Sequence, residues 1–405
     1  MLFRSYDVNL KLGSFKNGGK RVRNKTILTS TEGLYYGETR DAIFRKKVEL
    51  IDPENNIITD TLEYNTYSQL TNFLSPTKII TGKRVISTSN GNYNTGTRKG
   101  YLYDRSNIDD STYHFIADEM ALDDSLEMGE FKGNAVYTSK DTLGFDLMAN
   151  NIKANKQKST FLATENPLLL LKQKKDTLFI AADTLYAGKI SDLKRKIPAA
   201  RDSLGVITDT TLDKYFEAYH NVKIYSDSLQ GKADSLFYSL SDSTIRLISD
   251  PIIWANENQI TGDTLYLFVK NKKPEQLYVF ENAFAINKLD TTQYYNQVKG
   301  NTLRVWFEEG EINKMSAKGN AENIYFPLDN DKNFIGVNHS NAQIIEVYFE
   351  NTEPAKVVFR NQLIGKMTPL HQTPKEELNL KGFQWKENLR PKSKEELIRN
   401  NVKKN

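Results

Sequence analysis

Apolar and polar residues alternate along almost the whole chain, and the three-to-four spacing of an amphipathic helix is nearly absent. Leu62-Glu63-Tyr64, Leu143-Gly144-Phe145-Asp146-Leu147, Leu236-Phe237-Tyr238 and Leu265-Tyr266-Leu267-Phe268-Val269 each place every second side chain on one face, as half-buried strands do. Turn clusters such as Asp52-Pro53-Glu54-Asn55-Asn56 and Asn271-Lys272-Lys273-Pro274 separate them. Only two stretches predict helix, Leu212 to Tyr219 and the charged end from Lys394 onward. The pattern predicts an all-β chain.

A tripeptide recurs at the predicted strand entries: Asp60-Thr61-Leu62, Asp141-Thr142-Leu143, Asp176-Thr177-Leu178, Asp183-Thr184-Leu185, Asp227-Ser228-Leu229, Asp234-Ser235-Leu236 and Asp263-Thr264-Leu265, with Asn301-Thr302-Leu303 a close variant. Asp can bond nearby backbone, Thr or Ser faces outward, and Leu opens the buried face. Several copies lie about 29 residues or a multiple apart, which marks a structural repeat. Gly133-Asn134 and Gly319-Asn320 form a second recurrent element, and glycine there suits a bend or bulge. Between Ile180 and Leu185 the alternation slips by one residue, so a bend near Ala181 and Ala182 is needed to return Leu185 to the interior.

The chemistry-bearing residues are sparse. Across 405 residues there is no cysteine, which excludes disulfides, thiolate metal sites and cysteine nucleophiles. His114, His220, His339 and His371 lack metal-type spacing, and Gly18-Gly19-Lys20 lacks the first glycine of a phosphate loop. Acidic pairs such as Asp123-Asp124 point to opposite faces of a strand and read as solvated turns. Fifty-five basic against 51 acidic residues give a net charge of +4, too little to argue for nucleic acid. The basic run Lys16 to Lys25 reads as an exposed, frayed segment. No enzyme activity, cofactor or metal is expected. The longest aliphatic stretch, Leu168 to Leu171, is far short of the roughly 20 residues a membrane helix needs.

In its repeated units the chain resembles the OstA family, which includes LptA and the N-terminal domain of LptD. The resemblance is carried by Asp60 to Tyr64, Gly133 to Tyr137, Asp183 to Tyr186, Asp234 to Tyr238 and Gly319 to Tyr325. His220-Asn221-Val222, Asp250-Pro251-Ile252-Ile253-Trp254, Gln259-Ile260-Thr261-Gly262-Asp263, Asn282-Ala283-Phe284 and Gly382-Phe383-Gln384-Trp385 with Arg390-Pro391 look like the longer OstA-like proteins. It spans roughly residues 30 to 392. The resemblance implies an all-β, elongated β-jellyroll, or β-taco, of repeated short antiparallel strands with an apolar interior groove. It further implies that the groove shields the lipid A acyl chains of lipopolysaccharide in the periplasm, and that the protein joins other lipopolysaccharide-transport β-jellyroll proteins, or itself, edge to edge as part of a bridge to the outer membrane.

On these terms the groove candidates are Leu62, Tyr64, Leu143, Phe145, Leu178, Ile180, Leu185, Leu236, Tyr238, Leu265, Leu267, Leu303 and Val305. Alternation alone leaves open whether they line a groove or fill a closed core. The expected organisation is a basic segment over 1–29 with an incomplete start and a missing export signal, β-jellyroll parts over 30–195 and 221–370, a connecting segment over 196–220, and a charged tail over 371–405. The localisation expected is periplasmic or outer-membrane associated. A second reading is a non-enzymatic structural or carbohydrate-binding β-solenoid of the cell envelope, to which outward Tyr186, Tyr266 and Phe268 lend support.

Overall fold

The computed structural model describes residues 5–23, 25–141, 144–172, 177–193, 213–270, 273–289, 293–329, 331 and 333–402. Two compact units divide the chain, one built on Met1–Lys172 and the other on Gln173–Lys403. Every strand pairing described in either unit is antiparallel, and among the described residues the single α-helix is Lys394–Val402.

Both units are built from long strands that bend once and so contribute to two walls. In the first, Asp41–Ile51 and Met128–Ser139 lose register with their neighbours between Arg45 and Val48 and between Lys132 and Ala135. In the second, Tyr215–Tyr225, Lys273–Lys288, Tyr295–Glu308 and Glu311–Tyr325 do the same near Tyr219, Phe280, Lys299 and Lys318. The bend is often a pair of consecutive residues in the left-handed region: Lys46-Lys47, Gly133-Asn134, His220-Asn221, Glu281-Asn282 and Gly319-Asn320. Gly133 and Gly319, at φ +69° and +78°, occupy it without the Cβ clash that other residues meet there. The recurrent glycine thus bends one continuous strand.

The recurrent Asp sits beside this crease. Asp183 and Asp263 precede Thr184–Gly188 and Thr264–Lys270, whereas Asp60, Asp234 and Asn301 lie within longer strands where they bend, and Asp227 lies in a turn. Asp183 N donates to His220 O, and Asp263 N donates to Glu281 O. Their carboxylates accept from Asn221 Nδ2 at 2.8 Å and Asn282 Nδ2 at 2.9 Å. The copies at Asp141 and Asp176 include residues outside those described. At Ala181 the strand Thr177–Ala181 ends and Thr184–Gly188 begins, which buries both Ile180 and Leu185 as the slipped alternation requires.

Four expectations are corrected. Residues 215–219 belong to the strand Tyr215–Tyr225 and not to a helix; Leu212 lies outside the described residues. Pairing with Thr184–Gly188 on one side and Gln230–Ser239 on the other outweighs any local helix preference. The basic run is not frayed, because Gly19–Arg23 pairs with Thr26–Ser30 and Arg21 lies 4.9 Å over the Tyr64 ring. Asp124 lies in a turn as expected but is not solvated: Arg84 holds it at 2.8 Å and the Tyr93 hydroxyl at 3.2 Å. Phe268 is buried, its cross-strand partner Thr244 being fully buried as well.

Leu370 to Arg390 add no strand. They form a strap across one wall of the second unit, along the outer row Gln230–Trp254–Gln259–Ile286–Gln297–Ile324, whose members are direct cross-strand neighbours. Three buried glutamines clasp it. Gln297 Nε2 donates to Leu378 O at 3.0 Å and its Oε1 accepts from Leu380 N at 2.8 Å. Gln259 Nε2 donates to Gln384 O at 2.7 Å and accepts from Lys386 N at 2.7 Å. Gln230 Oε1 accepts from Arg390 Nε and Nη2 at 2.9 and 2.7 Å. Leu380 packs with Phe284, Ile286 and Ile324, joined by Phe383 and Trp385, so the strap covers an apolar patch on the outer face of this wall. The helix Lys394–Val402 follows; Ser393 Oγ accepts from Glu396 N, a capping contact that fits the expected helical end.

Candidate functional site

Register decides which inward side chains touch, since direct cross-strand neighbours share a face. In the second unit two rows run across the strands of one wall. Leu185, Ala218, Leu236, Leu247, Leu265, Val279, Leu303, Ala317 and Ile345 are successive partners in the first. Phe216, Tyr238, Ile245, Leu267, Leu277, Val305, Met315, Val347 and Val357 form the second. Seven of the expected groove residues are therefore brought into two continuous apolar ribs. Leu178 and Ile180 are buried on Thr177–Ala181, which pairs with Tyr215–Tyr225 through Ile180 and Ile224.

The first unit repeats the arrangement. Phe44, Leu62, Phe73, Gly91, Leu102, Met120, Phe131, Ile152 and Ala163 follow one another across one wall. Leu50, Ile57, Ile79, Ile86, Ile108, Phe115, Tyr137, Leu147 and Leu169 cross the other. Tyr64 lies beside Leu62 on the first wall, and Phe145 sits against Tyr137 at a ring distance of 5.3 Å. Leu143 lies outside the described residues.

These interiors are filled by their own side chains. Leu62, Ile180, Leu265 and Val305 are fully buried, and Tyr238 is half-buried. Walls touch where Phe115 stacks on Phe131 with ring centroids 3.7 Å apart. Burial also raises the Tyr238 hydroxyl to about 12, with the Asp242 charge adding to it, so it stays a neutral phenol. In the second unit a small cavity of about 30 Å³ lies between Ala285, Val298 and Asn323 on one wall and Met315, Val347 and Phe349 on the other.

Such a lining offers dispersion and area burial, with few polar groups. No cluster of three or more His, Asp or Glu able to hold a metal ion occurs among the described residues, and no described helix is long and apolar enough to cross a membrane. His220 pairs with Asp234 at 3.0 Å on the outside of the crease.

Sequence reasoning missed the strap, its glutamine clasps and the paired left-handed residues. Gln230, Gln259 and Gln297 carry no signal in a linear reading, because only the register aligns them. The Asn at four of the five paired kinks was visible, but the two-residue geometry was not, and Lys46-Lys47 carried no such mark.

A family model described as OstA-like protein matches residues 4–60 and 45–118. No curated protein matches the chain. Among solved structures, LptH of Pseudomonas aeruginosa, the LptA homologous periplasmic component of the conserved lipopolysaccharide transport device, is 13% identical over 34% of this chain and 82% of its own, with a TM-score of 0.26. Over residues 4–118 the chain is thus similar to the OstA-like family, in a unit built of two-walled antiparallel strands with apolar ribs along the inner faces.

Proposed function

We propose that the protein is a periplasmic lipopolysaccharide-binding transport protein, which shields acyl chains between its walls and forms part of a bridge to the outer membrane. The observation that carries this reading is the run of inward apolar partners across both walls of the first unit and one wall of the second, found in a chain whose residues 4–118 are similar to the OstA-like family. An acyl chain laid along such a rib gains roughly 0.8 kcal/mol per buried methylene, so about a dozen methylenes supply on the order of 10 kcal/mol gross. That gain requires no catalytic group, and the role proposed is not enzymatic. Entry requires the walls to part, since the interior is filled as it stands. Lipid A acyl chains are the proposed ligand, and a second β-jellyroll edge, of this chain or a related one, is the proposed partner.

The test is capture of lipopolysaccharide by variants that keep the β-type circular-dichroism spectrum. Leu267→Asp places an unpaired carboxylate where acyl chains need an apolar wall and should reduce capture strongly. Glu63→Lys, on an outward position that accepts a bond from Asn72, should change it little. Equal capture by both variants contradicts the proposal. The packed interior favours a second reading, a structural or carbohydrate-binding envelope protein. An outward cluster of half-buried rings, Tyr266, Tyr278 and Phe280, with centroids 4.7 and 4.1 Å apart about Phe280, is the feature a sugar could stack on. Undiminished glycan binding by a variant that captures no lipopolysaccharide supports it.

A further inference from the structure

The cavity in the second unit continues the rib that contains Tyr238, Leu267 and Val305, because Met315, Val347 and Val357 are the next members of that rib and line it. Its facing wall differs from every other inward surface described above. There the inward positions include a row of asparagines, Asn258, Asn287 and Asn296, which are direct partners on neighbouring strands, and Asn323 on the next strand, opposite Val298. Asn296 Nδ2 donates to Asn287 Oδ1 at 3.3 Å, and Asn296 Oδ1 accepts from Phe326 N at 3.0 Å, so these two are engaged.

Asn258 and Asn323 are each 1% exposed, line the cavity, and have side-chain carbonyl oxygens without a hydrogen-bond partner. An orphaned buried acceptor costs about 1–3 kcal/mol, so each oxygen favours a ligand that brings a donor. The two lie three strands apart, about 14 Å at the usual strand spacing, farther than one water can bridge. Ala285 and Val298 lie between them, and Met315 and Phe349 face them across the cavity.

We propose that this cavity is the mouth of a subsite for an acyl chain that carries a hydroxyl or amide N–H, the donor being accepted by Asn323 or Asn258 while the hydrocarbon continues along the rib. About 30 Å³ holds one small group, and the chain behind it is admitted as Met315, with three free torsions, yields. The inference rests on the acyl-chain reading and adds to it a chemical selectivity.

The test is calorimetric titration of the full chain with tetradecanoate and with 3-hydroxytetradecanoate, below their micelle-forming concentrations. The hydroxylated acid should bind about 2- to 10-fold more tightly, the worth of one net hydrogen bond. Asn323→Leu or Asn258→Leu should bring that ratio to near 1 while tetradecanoate binding is retained, which also shows that the variant is folded. Equal affinity for the two acids, or a preference that survives in both variants, overturns the subsite and leaves the acyl-chain reading standing. Failure of the wild-type chain to bind either acid overturns both.

Discussion

At the scale of single residues, the interior is held by ordinary aliphatic burial and the crease by charge and backbone conformation. Leu265 is fully buried between Leu247 and Val279, so Leu265→Ala should cost about 2–5 kcal/mol in chemical denaturation. A loss under 1 kcal/mol contradicts a packed rib. On the crease, the hydrogen bond to Asp234, aided by its charge and that of Asp183, raises the His220 pKa above its ordinary 6.5. The protonated form is favoured in the folded chain, so the contact contributes fully below the ordinary value and is lost as pH rises through the raised one. NMR titration should place the His220 midpoint above 6.5, and Asp234→Asn should move it back down. A wild-type midpoint at or below 6.5 removes the contact from the account.

Elements show most clearly what the sequence could and could not say. Strand alternation and the slip before Leu185 were legible because both depend on neighbours along the chain. The capped helix after Ser393 was legible for the same reason. Residues 215–219 misled, since Tyr215, Phe216 and Ala218 acquire their strand conformation from two pairing partners far away in sequence. The groove candidates could be named one by one, but their alignment into ribs depends on register, and so does the row of asparagines. Least legible was the strap, whose Gly382 to Trp385 motif gives no hint of the glutamines that hold it. Gln259→Leu leaves Gln384 O and Lys386 N without partners on a buried face, at about 1–3 kcal/mol per group. Hydrogen exchange at the Lys386 amide should therefore accelerate by at least tenfold, while amides of Thr264–Lys270 keep their protection. Unchanged exchange at Lys386 contradicts the clasp.

For the whole molecule, the open question of assembly turns on the first and last strands. Gly19–Arg23 pairs on one side only among the described residues, as do Glu353–Arg360 and Ile364–Thr368. Free edges are places where natural proteins put obstacles, and Arg21, over the Tyr64 ring, is one such charge. Ile364–Thr368 instead presents exposed Ile364 and Met367. Strand addition at these edges is the contact a bridge requires. Cysteines introduced at Val22 and Ile364 of this cysteine-free chain should give a specific end-to-end adduct under mild oxidation, at a yield above that of a pair at Tyr67 and Tyr103. Equal yields favour an isolated scaffold.

The claim on which the functional account depends is that acyl chains lie between the walls. Photocrosslinking reads this directly: a photoreactive residue is placed at Leu267, Tyr238 or Tyr64, or at outward Glu63, and the full chain is irradiated with lipopolysaccharide. The account predicts adducts from the three inward positions and few from Glu63. Equal labelling from both faces, or labelling from Glu63 alone, contradicts it.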